Sequence, residues 1–65
     1  MNLTINGEPR QVAARTVHDL LDELGLPQAR TVVEQNAVIV PRDSYQDTVL
    51  GEGDVLELVR LVGGG

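Results

Sequence analysis

The segment GDVLELVRLVGGG, residues 53–65, is the most informative part of this sequence, since it joins a turn, a nearly continuous apolar strand and three glycines. A strand that is apolar on both faces is typical of the centre of a sheet. Glycine loses more conformational freedom on ordering than any other residue, so three in succession do not dock onto a core by themselves. We therefore expect residues 1–62 to form one domain and residues 63–65 to form a flexible tail.

Length and composition limit the kinds of protein that this chain can be. Its 65 residues build at most one domain. They include no cysteine, which excludes disulfides and thiolate zinc sites, and no lysine, which excludes a Walker-type phosphate loop. The stability of the domain must therefore come from a compact core of leucine, valine and isoleucine.

The net charge of −5 indicates the kind of partner that the protein binds. An acidic chain repels phosphate and anionic lipid, so we expect neither nucleic acid nor a membrane as a partner, and instead a basic protein surface. No apolar run reaches the about 20 residues that span a bilayer. The first residues, MNLTING, lack the pattern of a signal peptide. We expect a cytoplasmic protein that is a monomer when free.

The N-terminal segment MNLTING, residues 1–7, predicts a strand followed by a tight turn. Apolar and polar residues alternate in it, which is typical of a strand with one buried face. Asn6 and Gly7 tolerate positive φ and favour a two-residue hairpin turn. Because Pro9 is expected to delay the return strand, the sequence predicts that pairing resumes around residues 10–13.

TVHDLLDELG, residues 16–25, predicts an amphipathic helix with both ends marked. Thr16 and Asp19 resemble a capping box at its start, and Gly25 suits the left-handed conformation that ends a helix. Apolar residues recur at i, i+3, i+4 and i+7 and so form one stripe. That stripe consists of Val17, Leu20, Leu21 and Leu24.

The middle of the chain predicts two more short strands, RTVVEQ at 30–35 and AVIV at 37–40, which meet near Asn36. Pro41 ends the second strand, and residues 42–50 predict a loop with one short turn. One helix is available to cover the buried face of the sheet. The sequence thus predicts an α+β fold in which a mixed sheet packs on one main helix.

Few residues are candidates for catalysis. His18 lies on the polar side of the predicted helix, and Ser44 lies in a loop without the spacing of a nucleophile elbow. We expect no catalytic residue, no metal site and no cofactor, and hence a protein that is not an enzyme. The unusual chemical feature is the tail, which can enter a channel too narrow for side chains. Its terminal carboxylate is a poor electrophile and acts as an acyl group only after activation; a frayed end is the alternative.

Three segments carry a resemblance to a known family. They are TVHDLLDEL at 16–24, Asn36 with IVPR at 39–42, and GDVLELV at 53–59 followed by terminal glycines. In these segments, and from end to end, the chain resembles the ThiS family, the sulfur carrier proteins of thiamine thiazole synthesis. The resemblance implies a ubiquitin-like β-grasp fold, the arrangement in which a mixed sheet packs on one main helix.

The resemblance also implies a mechanism for the tail. An E1-like adenylating enzyme would use ATP and magnesium to convert the carboxylate of Gly65 to an acyl adenylate. Sulfur from a desulfurase system would then produce a thiocarboxylate, and thiazole synthase would take up that sulfur. Gly63 and Gly64 would thread into the enzymes. The chain itself would be a co-substrate of both enzymes and not a catalyst.

By analogy with the family pattern of the last strand, Leu56 and Leu58 are expected to face the helix. The opposite face would carry Val55, Glu57, Val59 and Leu61. An apolar stripe on an otherwise polar face, leading to the tail, is typical of a docking surface. The alternative is the reverse alternation, in which Val59 and Leu61 are buried.

Other functions of the same fold stay open at this point. The small subunit of molybdopterin synthase is a sulfur carrier for another acceptor, although the strand before the tail lacks the proline-rich run that this subunit often shows. A ubiquitin-like modifier would use the same tail to form an isopeptide bond. An RNA-binding β-grasp module is disfavoured by the acidic charge.

Overall fold

Five strands and one α-helix make up residues 1–62, the part of the chain that the computed structural model describes. In chain order they are β1 (Asn2–Ile5), β2 (Glu8–Gln11), α1 (Val17–Leu24), β3 (Thr31–Gln35), β4 (Val38–Val40) and β5 (Val55–Arg60). Short 3-10 turns lie at Gln28–Arg30 and Arg42–Ser44.

The strands form one mixed sheet in the order β2-β1-β5-β3-β4. β1 and β5 are parallel, and the other neighbours are antiparallel. The central position of β5 confirms the expectation drawn from its two apolar faces. The prediction of an α+β fold with a mixed sheet on one main helix is likewise confirmed for the described residues.

The β1–β2 hairpin begins to pair earlier than the sequence predicted. Asn6 and Gly7 form a two-residue turn with φ of 51° and 81°, the positive values that tight hairpins favour. Pairing therefore resumes directly at Glu8. The expectation that Pro9 would delay pairing to residues 10–13 was wrong, because β2 is an edge strand and its solvent side accommodates a missing N–H.

Helix α1 has the predicted caps at both ends. Thr16 Oγ1 accepts a hydrogen bond from the N–H of Asp19 at 3.1 Å, and Gly25 takes the left-handed conformation with φ of 71°. Glu23 adds a tie to the preceding loop, since its carboxylate accepts the N–H of Ala14 at 2.9 Å. These contacts fix where the helix lies along the sheet.

The hydrophobic core lies between α1 and the sheet. Its most deeply buried apolar side chains are Leu3, Val17, Leu20, Leu21, Val33 and Leu56. Each such side chain contributes about 1.5–3 kcal/mol through burial. Tyr45, the single aromatic residue, is buried as well, and its hydroxyl donates to the carbonyl of Thr31 at 2.6 Å. Within residues 1–62 every buried side-chain nitrogen or oxygen has a partner, so no polar group weakens the core.

Two features are absent from residues 1–62. None of the helical segments there has the length and hydropathy of a bilayer-spanning helix. The same residues contain no cluster of three His, Cys, Asp or Glu side chains arranged to hold a metal ion.

Candidate functional site

The two faces of β5 differ in the way that the sequence predicted. Leu56 and Leu58 are 0% and 8% exposed and belong to the core together with the buried residues of α1. Val55 and Val59 are 44% and 56% exposed. The predicted alternation is confirmed, and the alternative in which Val59 is buried is wrong.

Neighbouring strands add residues to the exposed side of the sheet, which we call the outer face. Val32 of β3 lies opposite Val59. Glu34 lies opposite Glu57 in the same strand pair, and Ile39 of β4 lies opposite Glu34. Residues directly opposite each other in a ladder share a face. On these three strands the outer face therefore consists of Val32, Glu34, Ile39, Val55, Glu57 and Val59.

The outer face combines exposed apolar side chains with an acidic pair. Ile39 is 63% exposed and Val59 is 56% exposed, while Glu57 between the two valines of β5 is exposed as well. An apolar patch broken by two carboxylates is typical of a surface that binds a protein with basic side chains at the matching position. The docking role predicted for Val55, Glu57 and Val59 stays a prediction.

Three outer-face residues were not predicted from the sequence as part of the site: Val32, Glu34 and Ile39. The signal for Val32 was present, because it precedes the buried Val33 in an alternating strand. The sequence did not predict that β3 pairs with β5, nor the register of that pair. That pairing joins residues about 25 positions apart and is set by the packed core.

The predicted site residue Leu61 continues the chain from β5 toward the tail. Its N–H donates to the carbonyl of Arg30 at 2.7 Å, and its side chain is 48% exposed. The backbone is thus held one residue beyond the last strand. The predicted threading residues Gly63 and Gly64 and the predicted sulfur-bearing Gly65 lie outside the described residues.

The turn that precedes β5 is fixed by the carboxylate of Asp54. It accepts hydrogen bonds from Gln35 Nε2 at 2.8 Å, Asn36 Nδ2 at 3.0 Å and the N–H of Gly51 at 2.8 Å. Burial acts to raise the pKa of this carboxyl, but the three hydrogen bonds outweigh burial and lower the pKa below its ordinary value. Asn36 Oδ1 also accepts the N–H of Val55 at 2.9 Å, so the β3–β4 turn and the start of β5 form one unit.

The two candidates for catalysis lie away from the outer face. His18 on α1 is half-buried, and its Nε2 lies 3.4 Å from Asp22 Oδ2 in the next turn of the helix. Ser44 belongs to the 3-10 turn after β4, where its carbonyl accepts the hydroxyl of Thr48 at 2.7 Å. The contacts of His18 and Ser44 are therefore with residues four positions away in the chain, and neither contact involves the outer face.

Comparison with known proteins relates the chain to one family. Residues 3–65 match the model of the ThiS family. The sulfur carrier protein ThiS of Escherichia coli K12 is 35% identical over 66 residues, which cover 100% of each chain. The crystal structure of the thiamine biosynthesis protein ThiS from Geobacter metallireducens has a TM-score of 0.83 to this fold at 36% identity, again over 100% of each chain.

A larger protein also contains a segment similar to this chain. A thiazole synthase of Paramagnetospirillum magneticum is 47% identical over 66 residues, which cover 100% of this chain. The chain spans only 20% of the length of that synthase. The similarity therefore concerns one segment of the synthase and leaves most of that protein unmatched.

Proposed function

The chain belongs to the ThiS family, and on that premise we propose that it is a sulfur carrier of thiamine biosynthesis that bears sulfur on the carboxyl carbon of Gly65. The observation that carries this proposal is the extent of the family match, which continues through residue 65 and so includes the glycine tail. The full-length similarity to a sulfur carrier from Escherichia coli supports the same function.

The proposed chemistry takes place on the tail in two displacements. The carboxylate of Gly65 displaces pyrophosphate from ATP on an E1-like adenylating enzyme, which gives an acyl adenylate. A sulfur nucleophile supplied by a desulfurase system then displaces AMP, which leads to a thiocarboxylate. The chain has no cysteine, so its terminal acyl carbon is the position at which it can form a covalent bond to such a sulfur.

Thiazole synthase is the proposed acceptor of the sulfur. A thiazole synthase that contains a segment similar to this whole chain supports that choice. A carrier joined to its acceptor in one polypeptide has a high effective concentration at the acceptor site. A separate chain reaches the same site only through a docking surface. No observation of comparable weight favours molybdopterin synthase or an isopeptide-forming modifier.

The outer face is the proposed docking surface for these enzymes. It runs along β5, and β5 leads through Leu61 to the tail. An enzyme that holds the glycines in a channel must therefore lie against the end of this strand. Exposed Val59 supplies apolar contact area, and Glu57 supplies a charge that pairs with a basic side chain.

Truncation of the tail tests the proposed function. Wild-type chain and a variant without Gly65 are incubated with the adenylating enzyme, ATP and sulfide, and the intact masses are measured. We expect the wild-type chain to exchange one oxygen for sulfur and the truncated chain to stay unchanged, because the reacting carbonyl no longer reaches its activator. Gly51→Ala, a change far from the tail in sequence, is the control that should load normally.

The same experiment shows which outcome contradicts the proposal. Normal thiocarboxylate formation by the truncated chain would show that Gly65 does not carry the sulfur. Amide-linked adducts of the wild-type chain with other proteins would instead favour a ubiquitin-like modifier. Gly64→Leu adds a side chain to the threading segment and should reduce loading as severely as truncation does.

A further inference from the structure

A recess of about 330 Å³ opens beside the C-terminal end of β5, on the side of the sheet that faces α1. Its apolar floor consists of Ile5, Leu24, Leu26 and Leu58. Two arginines, Arg10 and Arg60, line the same space. We call this site the arginine recess; it lies on the opposite side of the sheet from the outer face.

The strand register places both arginines on the same side of the sheet. Arg10 pairs with Leu3 across β1 and β2, and Arg60 pairs with Thr31 across β3 and β5. Leu3 and Thr31 are both buried on the α1 side of the sheet, and paired residues share a face. Both arginines are exposed. They reach the recess from different directions, because Arg10 lies level with the start of β5 and Arg60 is the last residue of β5.

The two arginines of the recess form no ion pair with the described residues. Within residues 1–62 the one pair at ion-pair distance is His18 with Asp22, so neither Arg10 nor Arg60 has a carboxylate partner there. The chain has ten acidic residues for five basic ones. Two arginines that line one recess without a carboxylate partner favour an anionic ligand.

Two hydrogen bonds connect the strands at the rim of the arginine recess. Asn6 Oδ1 accepts the N–H of Leu58 at 2.8 Å, and Asn6 Nδ2 donates to the carbonyl of Leu58 at 3.2 Å. These two bonds join the β1–β2 turn to β5 and satisfy the Asn6 side chain. The guanidinium groups of Arg10 and Arg60 are therefore the polar groups of this site that remain for a ligand.

We propose that the arginine recess binds a carboxylate side chain of thiazole synthase, an inference that rests on the proposed function. Arg60 is the last residue of β5, and only two residues separate it from Gly63. An enzyme that holds the tail therefore also reaches the recess. A guanidinium group pairs with a carboxylate through two parallel hydrogen bonds, and the leucine floor accepts the apolar stem of a glutamate or a neighbouring apolar side chain.

Titration calorimetry of the free chain with thiazole synthase of the same organism tests the inference. In the double variant Arg10→Gln/Arg60→Gln we expect Kd to rise about tenfold or more, because charge-assisted hydrogen bonds are lost. The dependence of Kd on salt should also become weaker. The matched control is Arg15→Gln/Arg42→Gln, which changes the net charge equally at exposed positions outside the recess and should leave Kd within about twofold of wild type.

The outcomes separate this inference from the proposed function. If wild type binds and both double variants bind equally well, the arginine recess is not part of the interface. If the recess variant melts at a lower temperature but keeps the wild-type Kd, the arginines contribute only to the stability of the domain, and the inference fails. If the wild-type chain does not bind thiazole synthase, the proposed acceptor fails as well.

Discussion

Glu34 and Glu57 lie directly opposite each other on β3 and β5, on the exposed outer face of the sheet. Like charges in this position destabilise an antiparallel pair. In residues 1–62 neither carboxylate has a basic group at ion-pair distance, since His18–Asp22 is the one such pair. A repulsive pair beside exposed valines is consistent with a surface whose charge is neutralised by a partner.

Reversal of one of these charges should therefore stabilise the free domain and weaken the complex. Glu57→Lys replaces the repulsion with Glu34 by an attraction, and we expect a gain of about 0.5 kcal/mol in the free energy of unfolding. Urea denaturation measures this gain. Binding to thiazole synthase should become weaker by about tenfold or more, because the lysine then faces a basic partner surface.

Asp47→Lys is the control for that experiment. It makes the same change in net charge at an exposed position in the turn after Arg42–Ser44, outside the sheet. We expect almost no change in stability or in binding. A Glu57→Lys domain that is less stable than the Asp47→Lys domain would contradict the repulsion inferred from the register.

The two faces of β5 predict opposite effects for neighbouring residues. Val59→Arg places a charge on a side chain that is already 56% exposed, so the melting temperature should change little. The same substitution should cost about 2 kcal/mol or more of binding to the adenylating enzyme or thiazole synthase, as for an interface hot spot. Calorimetric titration with each enzyme measures the loss.

Leu58→Arg is the buried counterpart. Leu58 is 8% exposed and belongs to the core, so a guanidinium there should cost roughly 4 kcal/mol or more, which approaches the whole stability of a small domain. Thermal melts followed by circular dichroism distinguish the two variants. A folded Leu58→Arg chain together with an unfolded Val59→Arg chain would reverse the assignment of the faces.

The sequence predicted the features that depend on local patterns. Thr16 and Gly25 marked the helix ends because capping chemistry lies within a few residues of each cap. The central place of β5 followed from its own apolar faces. The start of β2 at Glu8 was not predicted, because the tolerance of Pro9 depends on which strand lies at the edge of the sheet.

For the candidate site, too, the sequence predicted the residues that lie on one strand but not those that strand pairing brings together. Val55 and Val59 belong to one strand, so their common face follows from a period of two. Glu34 lies beside Glu57 only through the pairing of β3 with β5, and Arg10 lines one recess with Arg60 only because β1 pairs with both β2 and β5. These pairings between distant parts of the chain are set by the register of the packed sheet, which no local pattern specifies.

Asp54 predicts how stability depends on pH. Burial acts to raise the pKa of this carboxyl, but the hydrogen bonds from Asn36, Gly51 and Gln35 outweigh burial, so its pKa in the folded protein lies below the ordinary value. The unfolded chain therefore binds the proton more readily. The stabilisation is fully present above the unfolded pKa and is lost as the pH falls through the folded pKa.

Asp54→Asn tests this dependence. At pH 7 we expect the variant to be less stable by about 1 kcal/mol, because the amide replaces a charged acceptor of three hydrogen bonds. The difference should disappear as the pH falls and the wild-type carboxyl is protonated. Urea denaturation across this pH range measures it. The exposed Asp47→Asn is the control, and a difference between wild type and Asp54→Asn that persists at low pH would contradict the role of the charge.

Gly25 predicts a stability effect that arises from the backbone alone. Its φ is 71°, and a Cβ built there meets no atom within 4 Å. Gly25→Ala should therefore destabilise the domain by about 1 kcal/mol, since the left-handed conformation is unfavourable for alanine although the space is open. Gly51→Ala is the matched control: its φ is not left-handed, and the new Cβ would lie 3.5 Å from Asp54 Oδ1, an ordinary contact. Equal unfolding free energies for the two variants in urea would show that the left-handed cap does not determine the stability of α1.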